Sequence, residues 1–366
     1  MRVAVTGAGG FLGWHTCVRL GATTDHQVVP IDRDGWQGLA ATLSGADAVI
    51  HIAGVNRGPE DAVESDNVRL AEDLADALAR SERCTHVVYA NSTQSGNGTP
   101  YGSGKEHAGE LLRRAAAKTT KTFVDVRLPN LFGEHGRPMY NSFVATFVDA
   151  VNRGRTPEIS DRAVRLLHVQ AAAQTLIDAI GAADDRVEPG GTETTVQGVY
   201  DRLTEFDRVY STGELPDLTA PFDVDLFNTF RASRFPDRSP IQLTPRADQR
   251  GRLVEVVRSR GGEGQTFVST TKPGVTRGEH FHLRKIERFV VLAGSARISL
   301  RRLLSDQVVS FDVSGEVPCA IDMPTMWAHN ITNTGESELT TLFWTNELFD
   351  PEAPDTHPEK VGPASP

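Results

Sequence analysis

Two stretches of this 366-residue chain carry residues of the type and spacing needed for chemistry. Near the start, Thr6–Gly13 reads T-G-A-G-G-F-L-G, with glycines at 7, 10 and 13 directly behind an apolar run. Glycine permits the tight turn and lets backbone N–H groups approach a pyrophosphate at a helix N-terminus. Farther on, "PIDRD" sets Asp32 where a carboxylate takes the ribose hydroxyls of NAD. The adjacent Arg33 suits the 2′-phosphate of NADP, so the two residues pull in opposite directions. In "YGSGK", Tyr101 and Lys105 are four apart at the head of a helical run and share one face. A cation near a phenol lowers its pKa, which predicts a tyrosine able to protonate a carbonyl oxygen that receives hydride. Ser92 or Thr93, at the end of the strand "THVVYANS", is placed to add a hydrogen bond to that oxygen.

The second stretch is "GEHFHLRKIERFVVLAG". His280, His282 and Glu287 follow H-x-H-x4-E, and "PTMWAHNITN" supplies His329. Two histidines at i and i+2 on a strand point to one face. Three imidazoles and a carboxylate suit a divalent transition metal, with positions left for water or substrate.

The elements that must position these residues differ between the two halves. Early on, "RVAVTG", "DAVIHIAG" and "THVVYANS" are short apolar runs without alternation, as in parallel strands covered on both faces. Between the last two, Val68, Ala71, Leu74, Ala75 and Leu78 mark one helical face. Strand alternating with helix predicts a doubly wound parallel α/β sheet of Rossmann type. After Ala183 come polar turns and scattered helical stretches up to Phe235, and a boundary is expected in the proline-rich "FPDRSPIQLTPRADQRG". Beyond it, "RLVEVV", "RFVVLAG", "ARISLRR", "QVVSFDV" and "LTTLFW" read as strands of an all-β sandwich or barrel. The expected domains are residues 1–241 and 242–366, with the tail after Asp350 an irregular arm.

Composition narrows the setting. The net charge of −10 argues against nonspecific nucleic-acid binding. No apolar run approaches the roughly 18 residues of a membrane span. Cys17, Cys84 and Cys319 are scattered and odd in number, which fits a reducing, cytoplasmic setting without a disulfide framework.

Thr6–Gly13, "HIAGVNR" (His51–Arg57), Asn67, Ser92, Tyr101 and Lys105 resemble the extended short-chain dehydrogenase/reductase family, whose members mostly act on nucleotide sugars. The resemblance implies cofactor contacts from Thr6, Gly7, Gly10, Phe11, Leu12, Gly13, Asp32, Arg33, Ala53, Gly54, Asn67, Tyr101 and Lys105. It also implies substrate contacts from Asn130, Asn141, Arg162, Arg165 and His168. The histidine segments resemble the cupin superfamily of double-stranded β-helix barrels. They depart from it at Met326, where the second motif usually has glycine.

Together with "RLPNLFG…PMYNSFVATF", "KPGVTRGEHFH" and "WTNELFDPEAPDT", the chain resembles the bifunctional CapF family over nearly its whole length. That resemblance implies a C3 epimerisation of a UDP-4-keto-6-deoxy-N-acetylhexosamine by the cupin. Reduction of the C4 ketone with NADPH follows, giving UDP-2-acetamido-2,6-dideoxy-β-L-talose. The implied partners are a nucleotide-sugar substrate, a zinc ion held by His280, His282, Glu287 and His329, and a second copy of the chain as a homodimer. Lys285 is a candidate for the C3 base. Three alternatives stay open: NADH as the donor, a dTDP sugar, and a cupin that is a structural or dimerising module beside a simple reductase.

Overall fold

The structure, a computed structural model, describes residues 1–183 and 185–362. It divides into two compact units, Met1–Phe143 with Asp161–Thr195, and Val144–Ser160 with Val196 onward.

The first unit begins β1 (Arg2–Thr6), α1 (Phe11–Thr23), β2 (Gln27–Ile31), α2 (Leu39–Ser44), β3 (Ala48–His51) and α3 (Glu60–Arg80). It continues with β4 (His86–Ser92), α4 (Pro100–Lys118), β5 (Thr122–Leu128) and β6 (Asn130–Phe132). After α5 (Phe143–Asn152), whose body belongs to the second unit, it resumes with β7 (Ala163–His168), α6 (Val169–Asp178), β8 (Arg186–Val187) and β9 (Thr192–Thr195). The main sheet is parallel in the order β2-β1-β3-β4-β5-β8. Its strands are apolar without alternation because both faces are covered. Val3 and Val5 pack in the cluster holding Leu20 of α1 and Leu176 of α6, while Ala4 packs with Leu74 of α3 and Leu112 of α4. Each such fully buried leucine contributes about 1.5–3 kcal/mol. The chain order reverses across β1 and β3, and their C-terminal ends flank the crevice where a doubly wound sheet binds ligands.

The second unit contains α7 (Val196–Tyr210), α8 (Pro221–Ala232) and an all-antiparallel barrel. The residues from Val196 to Phe235, expected to belong with the dinucleotide part, pack with the barrel. A buried polar lock holds them there. Arg288 donates twice to Asp322 (2.6 and 2.8 Å) and once to Gly213 O (2.8 Å), and Tyr210 Oη donates to Asp322 Oδ2 (2.8 Å). Removing one member of such a buried pair costs about 3–5 kcal/mol, because the other charge is stranded.

The barrel is two five-stranded sheets. One is ordered Ile241–Gln242, Cys319–Met323, Glu287–Ala293, Leu339–Thr345, Gln265–Thr271. The other runs Val308–Ser314, Ser295–Arg302, Trp327–Asn333, Thr276–Phe281, His357–Pro358. Between them lies a core of Phe289, Ile298, Leu300, Ile321, Trp327 and Ile331. This is the architecture of a cupin. The C-terminal arm is mostly irregular, as expected, yet His357–Pro358 adds an edge strand beside Phe281 and His280. Among the described residues, no helix is long and apolar enough to cross a membrane. All three cysteines are buried and free.

Candidate functional site

In the first unit the glycine turn is fixed by sterics. Gly7 has φ +70°, and a Cβ there would come 2.8 Å from Ala53 N, while a Cβ on Gly13 would lie 2.0 Å from Gly7 O. The turn therefore closes against both α1 and the loop after β3. Gly10 N donates to Gly7 O at 2.9 Å, and α1 starts at Phe11 and Leu12, leaving its first N–H groups at the turn.

Thr6 locks this turn to its neighbour. Its hydroxyl accepts from Ile52 N and Ala53 N (3.1 and 3.2 Å) and lies 2.8 Å from His51 Nδ1. Burial pushes the His51 imidazole down to about 3, with Lys105 adding to the effect, so the ring is a neutral acceptor for the Thr6 hydroxyl. Asn67 is buried and fully used. It accepts from Val55 N (3.2 Å) and donates to Val55 O and Val63 O (2.6 and 2.7 Å), so it braces the Gly54 loop.

Asp32 and Arg33 are both exposed just after β2. Asp32 Oδ1 already accepts from Gly35 N at 2.9 Å.

Helix α4 is started by Thr99, whose Oγ1 accepts from Gly102 N at 3.1 Å, with Pro100 as the first helical residue. That start puts Tyr101 in the first turn, hydrogen-bonded to Ser92. Thr93 is exposed, with its N–H on Leu128 O (3.0 Å). Lys105 is buried, donates to Ala90 O at 2.6 Å and sits 4.2 Å from the centre of the Tyr89 ring. Here the expectation for the phenol is corrected. Burial raises the pKa of Tyr101, and the lowering contribution comes from Ser92 rather than from Lys105. The ammonium is itself desolvated, which brings it down to about 7 despite the opposing pull of Asp125.

Of the five residues expected to touch substrate, Asn130, Arg165 and His168 lie on the paired strands β6 and β7. Asn130 and Asn141 are exposed, and Asn130 reaches Arg165 O at 3.5 Å. Arg162 is exposed, whereas Arg165 pairs with Glu193 at 2.6 Å across β7 and β9. His168 is buried against Glu134 (3.0 Å) at the end of β7.

In the second unit the four expected ligands do converge. His280, His282, Glu287 and His329 each offer an atom within 4.8 Å of the others. Glu287 Oε2 lies 2.9 Å from His282 Nε2, 3.2 Å from His329 Nε2 and 3.8 Å from His280 Nε2. A bulge between Gly278 and His280 aims the strand. His282 Nδ1 donates to Asp355 O (2.6 Å), and His329 Nδ1 donates to Trp327 O (3.1 Å). A carbonyl only accepts, so each Nδ1 carries a proton and each ring turns its Nε2 toward the carboxylate. Three imidazole nitrogens and a carboxylate gathered this way are a donor set that fits zinc or a similar divalent ion.

Asp355 went unnoticed in the sequence because it lies 73 residues from His282. Its carboxylate accepts from the backbone N–H groups of Leu283, Arg284 and Lys285 at 3.0, 2.9 and 2.7 Å. Burial would raise its pKa, but bonds from His357 and these amides hold it well below the usual carboxylate range. Lys285 is a tether of the same arm, its Nζ donating to Pro354 O (2.6 Å) and Thr356 Oγ1 (3.2 Å). Met326 takes the turn in the left-handed conformation, φ +61°, while fully buried. The turn thus keeps the backbone that glycine would give it, at the cost of strain.

A parallel dinucleotide sheet with a Ser–Tyr–Lys end and a cupin with a His/Glu cluster define a two-part enzyme class. Residues 3–185 match the NAD dependent epimerase/dehydratase family, and residues 246–357 match the polysaccharide biosynthesis C-terminal domain. The chain belongs to the CapF family of capsular-polysaccharide proteins. It is 31% identical to CapF from Staphylococcus aureus, covering 99% of this chain and 100% of that one, with a TM-score of 0.64. A structure of CapF with the inhibitor 3-isopropenyl-tropolone is 29% identical over 99% of this chain and 100% of that one, TM-score 0.59. UDP-2-acetamido-2,6-beta-L-arabino-hexul-4-ose reductase of Pseudomonas aeruginosa is 31% identical over 99% of both chains. The UDP-glucose 4-epimerase of Thermotoga maritima, 16% identical over 57% of this chain and 84% of its own, shares the fold alone at a TM-score of 0.51.

Proposed function

We propose that this protein performs two successive steps on one nucleotide sugar for polysaccharide synthesis. The cupin, within residues 242–366, inverts C3 of a UDP-4-keto-6-deoxy-N-acetylhexosamine. The dinucleotide domain, within residues 1–241, then reduces the C4 ketone to give UDP-2-acetamido-2,6-dideoxy-β-L-talose. The observation that carries this reading is the His280–His282–Glu287–His329 cluster, a donor set suited to a divalent cation, in the same chain as a carbonyl-reducing constellation. The full-length relative named as a reductase of a UDP-linked 4-ulose supports UDP and the C4 ketone. A tropolone presents two adjacent oxygens that chelate metals, so the inhibitor in a CapF structure agrees with a metal.

In the reduction, Tyr101 gives its proton to the C4 oxygen as that carbon becomes an alcohol. Ser92 holds the phenol and the substrate oxygen in line. A nicotinamide cofactor with its pyrophosphate at the glycine turn would supply the hydride. Lys105 fixes the far side of the site, and Thr6, Ala53, Gly54 and Asn67 hold the two loops that frame it. We assign NADPH, because the Asp32 carboxylate is engaged by its own turn while Arg33 is exposed for a phosphate.

In the epimerisation, the C4 carbonyl acidifies the C3 proton, and a bound divalent cation would stabilise the enolate oxygen. Asp355 and Trp327 orient His282 and His329 for that cation. Epimerisation is reversible, and the coupled reduction draws the 3-epimer off. The reading also takes the metal as zinc and the protein as a cytoplasmic homodimer. The test is incubation with a panel of UDP- and dTDP-4-keto sugars, with and without NADPH, and product structure by NMR. Reduction without any change at C3 would reduce the cupin to a structural module.

A further inference from the structure

Arg165, expected among the substrate contacts, forms an exposed ion pair with Glu193. A different pair of guanidinium groups is gathered in the same unit. Arg57, in the loop after β3, lies 5.7 Å from the centre of the Tyr140 ring, and Arg137, in the loop after β6, lies 5.2 Å from the same ring. Arg57 Nη1 also donates to Met139 O at 3.1 Å. To present that carbonyl, Met139 adopts φ +54° and leaves its side chain 75% exposed. A left-handed, water-exposed methionine is an unfavourable local choice.

Both arginines are exposed, and neither has an ion-pair partner among the described residues. Two like charges on one ring repel each other unless an anion lies between them. Arg57 follows β3 at the C-terminal side of the parallel sheet, where ligands of this fold bind, and Arg137 joins it at the Tyr140 ring. The cofactor's pyrophosphate already has the Gly7–Gly13 turn and the start of α1.

We propose that Arg57 and Arg137, braced by Tyr140, clamp the diphosphate of the nucleotide sugar for reduction. The proposal rests on reading this unit as a nucleotide-sugar reductase. Guanidinium is suited to it because its planar fork takes two phosphate oxygens at once.

The test uses the full chain in Arg57→Ala, Arg137→Ala and double-variant forms, with UDP alone as a binding probe and steady-state reduction as the second readout. Each substitution should weaken UDP binding and raise KM for the sugar by about 10- to 100-fold, as expected for one lost charge-assisted contact. NADPH affinity should stay within about twofold, which a general loss of structure would not allow. Raising the salt concentration should weaken UDP less in the double variant than in the wild type. Tyr140→Phe should bind UDP like the wild type, while Tyr140→Leu binds it several-fold more weakly. The clamp is overturned if the double variant keeps wild-type UDP affinity and KM, or if NADPH affinity falls in parallel. Loss of UDP binding in the variants, with a wild type that reduces no nucleotide sugar, would leave the clamp standing and remove the reductase reading.

Discussion

Asp355→Ala should separate the metal site from the barrel that carries it. Asp355 grips twice: its carboxylate takes three backbone N–H groups at residues 283–285, and its carbonyl takes His282 Nδ1 at 2.6 Å. Hydrogen bonds to a charged group contribute about 1.5–3 kcal/mol each when isolated, and three on one half-buried carboxylate do not add. A loss of about 2–4 kcal/mol of unfolding free energy is therefore expected. The carbonyl would then drift with the freed arm, and loss of such an outer partner costs about 10–100-fold in metal affinity. Competition with a chromogenic chelator measures the affinity, and urea unfolding of the metal-free protein measures the stability. Asp355→Asn keeps an oxygen acceptor without the charge and should fall between alanine and wild type on both scales. Alanine and wild-type proteins that bind zinc within twofold of each other would refute the orienting role, whatever the urea curve shows.

Tyr101→Phe removes the acid and leaves the ring, so NADPH-dependent reduction should fall by about 10²–10⁴ while zinc affinity is unchanged. Stopped-flow loss of NADPH absorbance checks it. His51 is held neutral by burial, its folded pKa near 3 lying below the ordinary value of 6.5. The unfolded state thus binds more protons between these values, and wild-type stability should fall with pH from about 6.5 toward 3, by up to about 1.4 kcal/mol per unit. In His51→Gln, urea unfolding across that window should show a shallower fall. Met326→Gly relieves about 1 kcal/mol of left-handed strain but deletes a fully buried side chain, for which truncation costs about 2–5 kcal/mol. A net loss of about 1–4 kcal/mol is expected in the same assay, and a more stable variant would show that the strain dominates.

What the sequence made legible was local. The glycine turn, the Y-x-x-x-K face and the H-x-H-x4-E spacing each lie within one or two elements, so residue type and period suffice to place them. Val3 and Ala4 read as a doubly covered strand because neighbouring residues face opposite apolar layers. What escaped depends on partners far along the chain. The ion pair of Arg165 with Glu193 forms only because the fold sets β9 beside β7. Lys105 was expected to tune Tyr101, but its ammonium is drawn instead to Ala90 O and the Tyr89 face, choices made by how α4 packs on β4. The helices before Phe235 looked continuous with the first domain because their contacts to the barrel, such as Tyr210 on Asp322 and Asn228 on Arg284 O, join residues far apart in the chain.

Two chemistries in one chain are tested most directly at C3. The wild-type protein loaded with zinc, given the UDP-4-keto-6-deoxy-N-acetylhexosamine in D₂O without NADPH, should place deuterium at C3, because removal and return of that proton need no hydride donor. Addition of NADPH should then convert the labelled sugar to the 4-hydroxy product with the deuterium retained. Reduction that proceeds at full rate while C3 keeps its original proton and configuration would contradict the epimerase and leave a single-activity reductase carrying a structural cupin.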